Sequence, residues 1–244
     1  MARPPRLVVP DIALHVRQRG VDRQDCFRAD TDRLVYLSHL RQLLRATRCA
    51  LHAYCLMTNH VHLLLTPPDE ASCGILMREL GQRYVPYFNR RYGRTGTLWE
   101  GRFKSCLVDS PRYVLGCYHY IEMNPVAARM VPSALAYPWS SYAANSGVLD
   151  DECITPHVEY AALGSSPPSR RAAYQELFRA PPDPELVAAI RDATYGGYAL
   201  VGDELKARLV AAGRKHVERG TPGPRVDQAI EADPATAGLD FGGK

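Results

Sequence analysis

His60-Val61-His62 is the first feature of this chain that could do chemistry. Residues two apart in a strand point to the same face, so the two imidazoles project together while Val61 enters the opposite layer. Two histidines so placed can share one metal ion. The competing account is two polar residues on a solvent-facing strand, since H-x-H arises often by chance. A turn precedes the pair and Leu63-Leu64-Leu65 follows, which favours a metal site at the start of a buried strand. The second feature is Tyr118-His119-Tyr120-Ile121-Glu122-Met123-Asn124-Pro125. At helical spacing Val114, Leu115, Tyr118 and Ile121 form one apolar stripe, and Tyr120 and Asn124 lie well off it. Four residues apart, these two present a phenol and a carboxamide one above the other, as a nucleophile and a neutral oxygen ligand would require. Pro125 predicts a kink or helix end at Asn124, and plain helix termination is the competing account of the Asn-Pro pair.

Between these features runs a basic segment. From Arg78 to Lys104 seven cations face only Glu79 and Glu100, a surplus larger than the +4 of the whole chain. Tyr84, Tyr87, Phe88, Tyr92, Trp99 and Phe103 interleave with them. Cations bind phosphates and flat rings stack unpaired bases, a combination that suits single strands better than duplex grooves. A helix with a solvated charged face and an aromatic core face is the competing account, and it covers most of these rings. The candidate DNA contacts are Arg83, Arg90, Arg91, Arg94, Arg102 and Lys104, with Arg90, Arg91 and Arg94 the hardest to explain as mere surface.

The elements that position these groups follow from periodicity and turn chemistry. Ile12 to Arg19 alternates as a strand closed by Gly20. Leu34, Leu37, Leu40, Leu43 and Leu44 recur at helical spacing from an N-cap at Asp30 or Thr31 to about Thr47. Cys49 to Met57 and His60 to Thr66 read as a hairpin about Thr58-Asn59. Ser72 to Phe88 reads as a helix loosened by Pro86, followed by a basic turn from Arg90 to Gly96. Leu98 to Val108 is predicted as one long strand with a bulge at Gly101. Ser110 as N-cap and Pro111 at the first helical position open a helix running at least to Met123. The order β-α-β-β-α-β-α predicts an α+β, ferredoxin-like antiparallel sheet with helices on one face.

At 244 residues, one core and a smaller appended unit are expected. The expected division is a main domain over 1–145, a linker with short helices over 146–184, a helical region over 185–218 and a flexible tail over 219–244. With 46% apolar and 23% charged residues the composition is that of an ordinary folded protein. No apolar run is long enough for a membrane span, and residues 1–10 lack a signal-peptide core, so a cytoplasmic protein without a membrane partner is expected. The seven cysteines are odd in number and include no C-x-x-C, which favours reduced thiols.

Joined by His15-Val16-Arg17-Gln18-Arg19-Gly20, Met57-Thr58-Asn59, Leu98-Trp99-Glu100-Gly101-Arg102-Phe103-Lys104 and Tyr137-Pro138-Trp139-Ser140-Ser141-Tyr142, these features resemble the HUH single-tyrosine transposases with an IS200-like domain. Within that group they resemble the REP-associated tyrosine transposases of bacteria, over about the first 145 residues. Ile190-Arg191-Asp192-Ala193 and the stretch from Gly202 to Arg214 look like the helical extension of some members. Val21 and Thr58 depart from the usual pattern, at positions where asparagine and proline are common. The resemblance implies Tyr120 as nucleophile, with His60, His62 and Asn124 holding a divalent metal; the ligand types favour Mg²⁺ or Mn²⁺, and two imidazoles would also accept zinc. It further implies nicking and rejoining of single-stranded DNA through a 5′-phosphotyrosine, a hairpin-forming palindromic repeat as substrate, and a homodimer. The alternative is a domesticated protein that grips hairpin DNA without cutting it. A metal hydrolase that activates water would need further ligands, and Asp69 and Glu70 are the only acids nearby in sequence.

Overall fold

The computed structural model describes residues 6–220. Four strands, β1 (Ala13–Arg19), β2 (Ala50–Leu56), β3 (His60–Thr66) and β4 (Lys104–Val108), form one antiparallel sheet in the order β2-β3-β1-β4. Helix α1 (Asp30–Thr47) connects β1 to β2, and α2 (Ser72–Tyr92) connects β3 to β4. This is the ferredoxin-like arrangement expected from the order of elements. Helix α3 (Pro111–Ala127) follows, then α4 (Tyr142–Asn145), α5 (Val158–Ala161), α6 (Pro167–Leu177), α7 (Pro184–Gly196) and α8 (Asp203–Ala211). Most of the stretch expected as a flexible tail, 219–244, lies outside the described residues.

Helices cover both faces of the sheet, not one. Leu14, Val16, Val61, Leu63 and Leu65 point into a core with Tyr36, Leu40 and Leu43 of α1 and Leu76, Leu80, Tyr84 and Phe88 of α2. The alternate residues Ala13, Ala53, Cys55, Leu64, Cys106 and Val108 meet a second core built from Val114, Cys117, Tyr118 and Ile121 of α3. Tyr160, Tyr174, Ile190 and Ala193 of α5, α6 and α7 complete it, so segments after residue 145 are packed into the body of the protein. Gly116 carries no side chain where Leu186 of α7 presses on α3; a Cβ there would lie 2.5 Å from Leu186 Cδ2. Beyond α7 the chain turns at Gly197 (φ 71°) and Leu200 donates its N–H to Leu107, adding a bridge to the edge of β4.

Several local expectations are corrected. The first strand begins at Ala13 and the second at Ala50, each one residue later than the pattern suggested. Leu98 to Val108 is not one strand: Trp99 bridges Gly20, Gly101 takes a left-handed turn at φ 66°, and the ladder begins only at Lys104. Asp30 and Thr31 lie inside α1, and the Asp32 carboxylate takes the cap role by accepting from the Arg28 and Ala29 amides at 2.9 and 3.0 Å. Ser110 stands at the start of α3 without a side-chain cap bond. Pro86 and Pro125 do not end their helices; α2 reaches Tyr92, placing Arg90 and Arg91 on a helix, and α3 reaches Ala127. Each proline removes one backbone bond, and the packing of both helices on the sheet outweighs that loss. The last amphipathic stretch, expected from Gly202 to Val217, is helical over Asp203–Ala211. All seven cysteines are buried and unpaired. No described helix is long and apolar enough to cross a membrane.

Glu122 lies at the junction of α3, α4 and α6, fully buried. Its carboxyl accepts from Ser141 Oγ, from Asn145 Nδ2 at 2.8 Å and from Tyr174 OH at 2.6 Å. Burial pushes its pKa up to about 7, while the three hydrogen bonds act in the opposite direction. A raised folded pKa means that the native state binds this proton more tightly than the unfolded chain. The contribution is therefore fully present below the ordinary glutamate value and is lost as pH rises through about 7. Relative to Glu122→Gln, the wild type should lose about 2–3 kcal/mol of stability between about pH 5 and about pH 8. Chemical denaturation of both proteins across that range measures it, and parallel profiles would count against the raised pKa.

Candidate active site

The central ladder places Arg17 opposite His62 and Arg19 opposite His60, and β4 sets Lys104 opposite Arg17 and Cys106 opposite His15. His15, Arg17, His60 and His62 consequently share the face covered by α3 and α7, with Val61 in the other core. The His60 and His62 rings are 4.9 Å apart, nearly perpendicular. Each ring has its Nδ1 engaged: His60 Nδ1 donates to Asn59 Oδ1 at 2.6 Å, and His62 Nδ1 lies 2.9 Å from His15 Nε2. Asn59 is oriented by donating its Nδ2 to the Arg23 carbonyl at 3.3 Å. His62 Nε2 is buried and has no hydrogen-bond partner. Burial and the nearby Arg17 and Arg19 charges hold His60 well below the usual histidine range. Burial does the same for His62, reinforced by His60, His15 and Arg17. Both rings are neutral, as metal ligands must be.

Tyr120 projects from α3 into this group, its ring 5.5 Å from His62 and 5.7 Å from His15, edge-on to both. Burial pushes the phenol up to about 12, and Arg17 and Arg191 pull it back. Asn124, one turn on, donates Nδ2 to the Tyr120 carbonyl at 2.6 Å, which leaves Oδ1 as the amide atom available to a cation. Tyr120 and Asn124, predicted to lie off the core stripe, are both largely buried, because α7 closes over this side of α3. A cleft of about 350 Å³ opens beside them, walled by Met123, Pro181, Val187 and Arg191. Among the described residues no three His, Cys, Asp or Glu side chains converge as a metal site. The lone Nε2 of His62, the Nδ1-anchored His60 and the amide oxygen of Asn124 are donor types that a divalent cation accepts. Asp69 caps α2 through Ala71, Ser72 and the Ser72 hydroxyl, and Glu70 pairs with Arg214 at 2.6 Å, so both acids are committed elsewhere.

Residues 8–124, which end at Asn124, match the family model described as transposase IS200 like. Over that segment, just under half of the chain, the sequence is similar to the IS200-like transposases. One solved structure of similar fold, described as "Structure of the REP associates tyrosine transposase bound to a REP hairpin", is 17% identical with a TM-score of 0.52, covering 65% of this chain and 93% of its own. No curated protein sequence matches. The matched segment contains His15, Arg17, His60, His62, Tyr120 and Asn124. Arg191 and Thr194 come from α7, beyond it. Arg17 and Arg191 had stood only in motif stretches without a role; the period-2 register shared with His15 was the signal for Arg17, and nothing local marked Arg191.

The six candidate DNA contacts stand in different surroundings. Arg90 is exposed at the end of α2. Beside it Arg91 approaches Asp32 at 3.5 Å, and Arg94 lies half-buried over Phe88. Arg83 donates to Gln42 of α1 at 3.1 Å. Arg102 and Lys104 instead line a cleft at the β4 edge with Arg6, Thr194 and His216. Tyr84, Phe88, Trp99 and Phe103 are buried core rings, which removes them as base-stacking platforms. Tyr87 and Tyr92 turn their hydroxyls to Asp32 at 3.0 and 2.7 Å. Burial opposes ionisation of Asp32, but the hydrogen bonds from Tyr92, the two backbone amides and Tyr87 hold its carboxyl below the usual range. Asp32 thus ties the basic end of α2 to the start of α1. Replacing it with alanine should cost on the order of 2–3 kcal/mol by stranding these donors, whereas Arg90→Ala should leave the melting temperature unchanged. Thermal melts of the two variants check this, and equal melting temperatures would remove the anchoring role.

Proposed function

We propose that this chain is a metal-dependent, single-tyrosine endonuclease and strand transferase of the REP-associated type, acting on single-stranded DNA with hairpin-forming repeats. The observation that carries the reading is a partnerless, buried imidazole Nε2 on His62 with the ring of Tyr120 5.5 Å away. His60, His62 and Asn124 would hold Mg²⁺ or Mn²⁺, which when bound would withdraw charge from the non-bridging phosphate oxygens. Tyr120 Oη, giving up its proton to solvent, would attack phosphorus as the bond to the 3′ oxygen breaks; the upstream segment leaves, its 3′ oxygen taking up a proton to become a free 3′-OH, and the 5′ phosphate of the downstream segment stays on the tyrosine. Because the phosphotyrosine ester conserves the bond energy, the 3′-OH of another strand reverses the attack and rejoins DNA without ATP. A phenol raised to about 12 is a weak nucleophile at neutral pH. The positive charges of Arg17 and Arg191 favour the phenolate and draw a phosphate towards it.

The hairpin substrate is assigned by analogy with the solved relative, which is described as bound to a REP hairpin. One chain brings the histidines and Tyr120 together, so a homodimer would serve something other than completing this set. Incubation with labelled hairpin DNA and Mn²⁺ should yield a denaturation-resistant adduct that Tyr120→Phe abolishes without loss of binding. Cleavage persisting in that variant would point to water as nucleophile, and wild-type binding without any adduct would favour a non-cutting hairpin-binding protein.

The cations of α2 and those of the β4-edge cleft lead to a further expectation. Arg90→Ala and the pair Arg102→Ala with Lys104→Ala should each weaken binding and reduce the slope of log affinity against log salt by about 0.7–0.9 for every phosphate no longer neutralised. A variant whose slope matches the wild type would show that DNA does not cross that surface.

A further inference from the structure

His15 and Thr194 have no part in the chemistry above, yet they form a buried chain that ends on His62. Thr194 Oγ1 lies 2.7 Å from the Ile190 carbonyl one turn earlier in α7 and 2.7 Å from His15 Nδ1. A carbonyl can only accept, so the single hydroxyl proton goes to Ile190 and Thr194 accepts from His15 Nδ1–H. His15 Nε2 is then a lone pair, and at 2.9 Å it accepts from His62 Nδ1–H. The proton on Nδ1 leaves His62 Nε2 bare. Running the chain the other way would put a proton on His62 Nε2, where no acceptor exists, stranding a buried N–H. The two imidazoles meet edge to edge, with centroids 5.1 Å apart and planes within 5° of parallel, which fixes the ring plane as well.

We infer that His15 and Thr194 are positioning residues whose relay fixes the tautomer and orientation of His62, making α7 a working part of the active site although it lies outside the matched domain. The inference rests on the metal-site reading. The relay needs α7 held close, and the structure provides that through the Leu186 contact over Gly116 and the Leu200 bridge to β4. Cys106 Sγ, 3.2 Å from Thr194 Oγ1, packs against the same hydroxyl from the sheet. Asn59 holds the tautomer of His60 in the corresponding way, from a local turn instead of a distant helix.

Two measurements on the full chain test the inference: long-range proton–nitrogen NMR of the imidazole rings without added metal, and calorimetric titration with Mn²⁺. The wild type should show His62 protonated at Nδ1 and bare at Nε2. Thr194→Val, nearly the same shape without the hydroxyl, should disturb that tautomer and weaken Mn²⁺ binding about ten- to a hundredfold, and Thr194→Ser should restore both. His15→Gln, whose amide can accept from His62 and donate to Thr194, should retain more affinity than His15→Phe. A wild-type spectrum with the proton on His62 Nε2 overturns the relay whatever the metal does, and so does a Thr194→Val protein with unchanged tautomer and affinity. If the tautomer is as described but the wild type takes up no Mn²⁺, the relay stands and the metal site falls.

Discussion

With Arg17 opposite His62 and Arg19 opposite His60, the ladder between β1 and β3 decides which side chains can meet at all. A one-residue slip would turn His60 and His62 into the layer of α1 and α2 and bring Val61 to the site. Two constraints prevent it. Leu14, Val16, Leu63 and Leu65 fill one core while Ala13 and Leu64 fill the other, so a slip would exchange large and small residues between two unlike layers. The hairpin turn adds a second lock, because Gly20 donates to the Asn59 carbonyl and Cys26 and Phe27 donate to that of Thr58.

The two faces of the sheet do different work. The layer of α1 and α2 is mainly aliphatic and aromatic, with Asp32 as a capped and bridged polar island at its end. The layer of α3, α6 and α7 accepts His15, His62, Glu122, Asn124 and Thr194 into a buried environment. Groups there survive burial by being paired, as Glu122 is with three donors, or by being neutral, as the histidines are. His62 Nε2, beside Tyr120, departs from that rule, and a buried acceptor without a donor can receive a cation. Placing the phenol beside it in a site closed by α7 raises the phenol's pKa and thereby makes its chemistry depend on local positive charge.

Much of the fold was legible locally. Alternation marked the first strand, the Thr58-Asn59 turn marked the hairpin, and spaced leucines marked α1, because turn chemistry and a single buried face are both local patterns. The failures came where a neighbour overrode the local signal. Gly101 turns left-handed under the Gly20 bridge and shortens β4, and Pro125 is carried inside α3 because packing on both sides offsets one lost backbone bond. Helices on both faces were not foreseen, since short helices such as α5 and α6 have little periodicity to read and show their purpose only through Tyr160 and Tyr174 in the core.

By itself the sequence determined that His60 and His62 share a face, that Tyr120 and Asn124 stack one turn apart, and that cations crowd between Arg78 and Lys104. Those are consequences of repeat distances along one strand, one helix and one segment. Only the tertiary structure decided that the histidines and Tyr120 meet, that Arg102 and Lys104 line a cleft with Thr194, and that Arg17, Arg191, His15 and Thr194 join the site. Such meetings depend on strand register and on the docking of a helix whose residues lie more than a hundred positions from their partners. No local pattern encodes them, because they are settled by which pair of faces buries the most surface together.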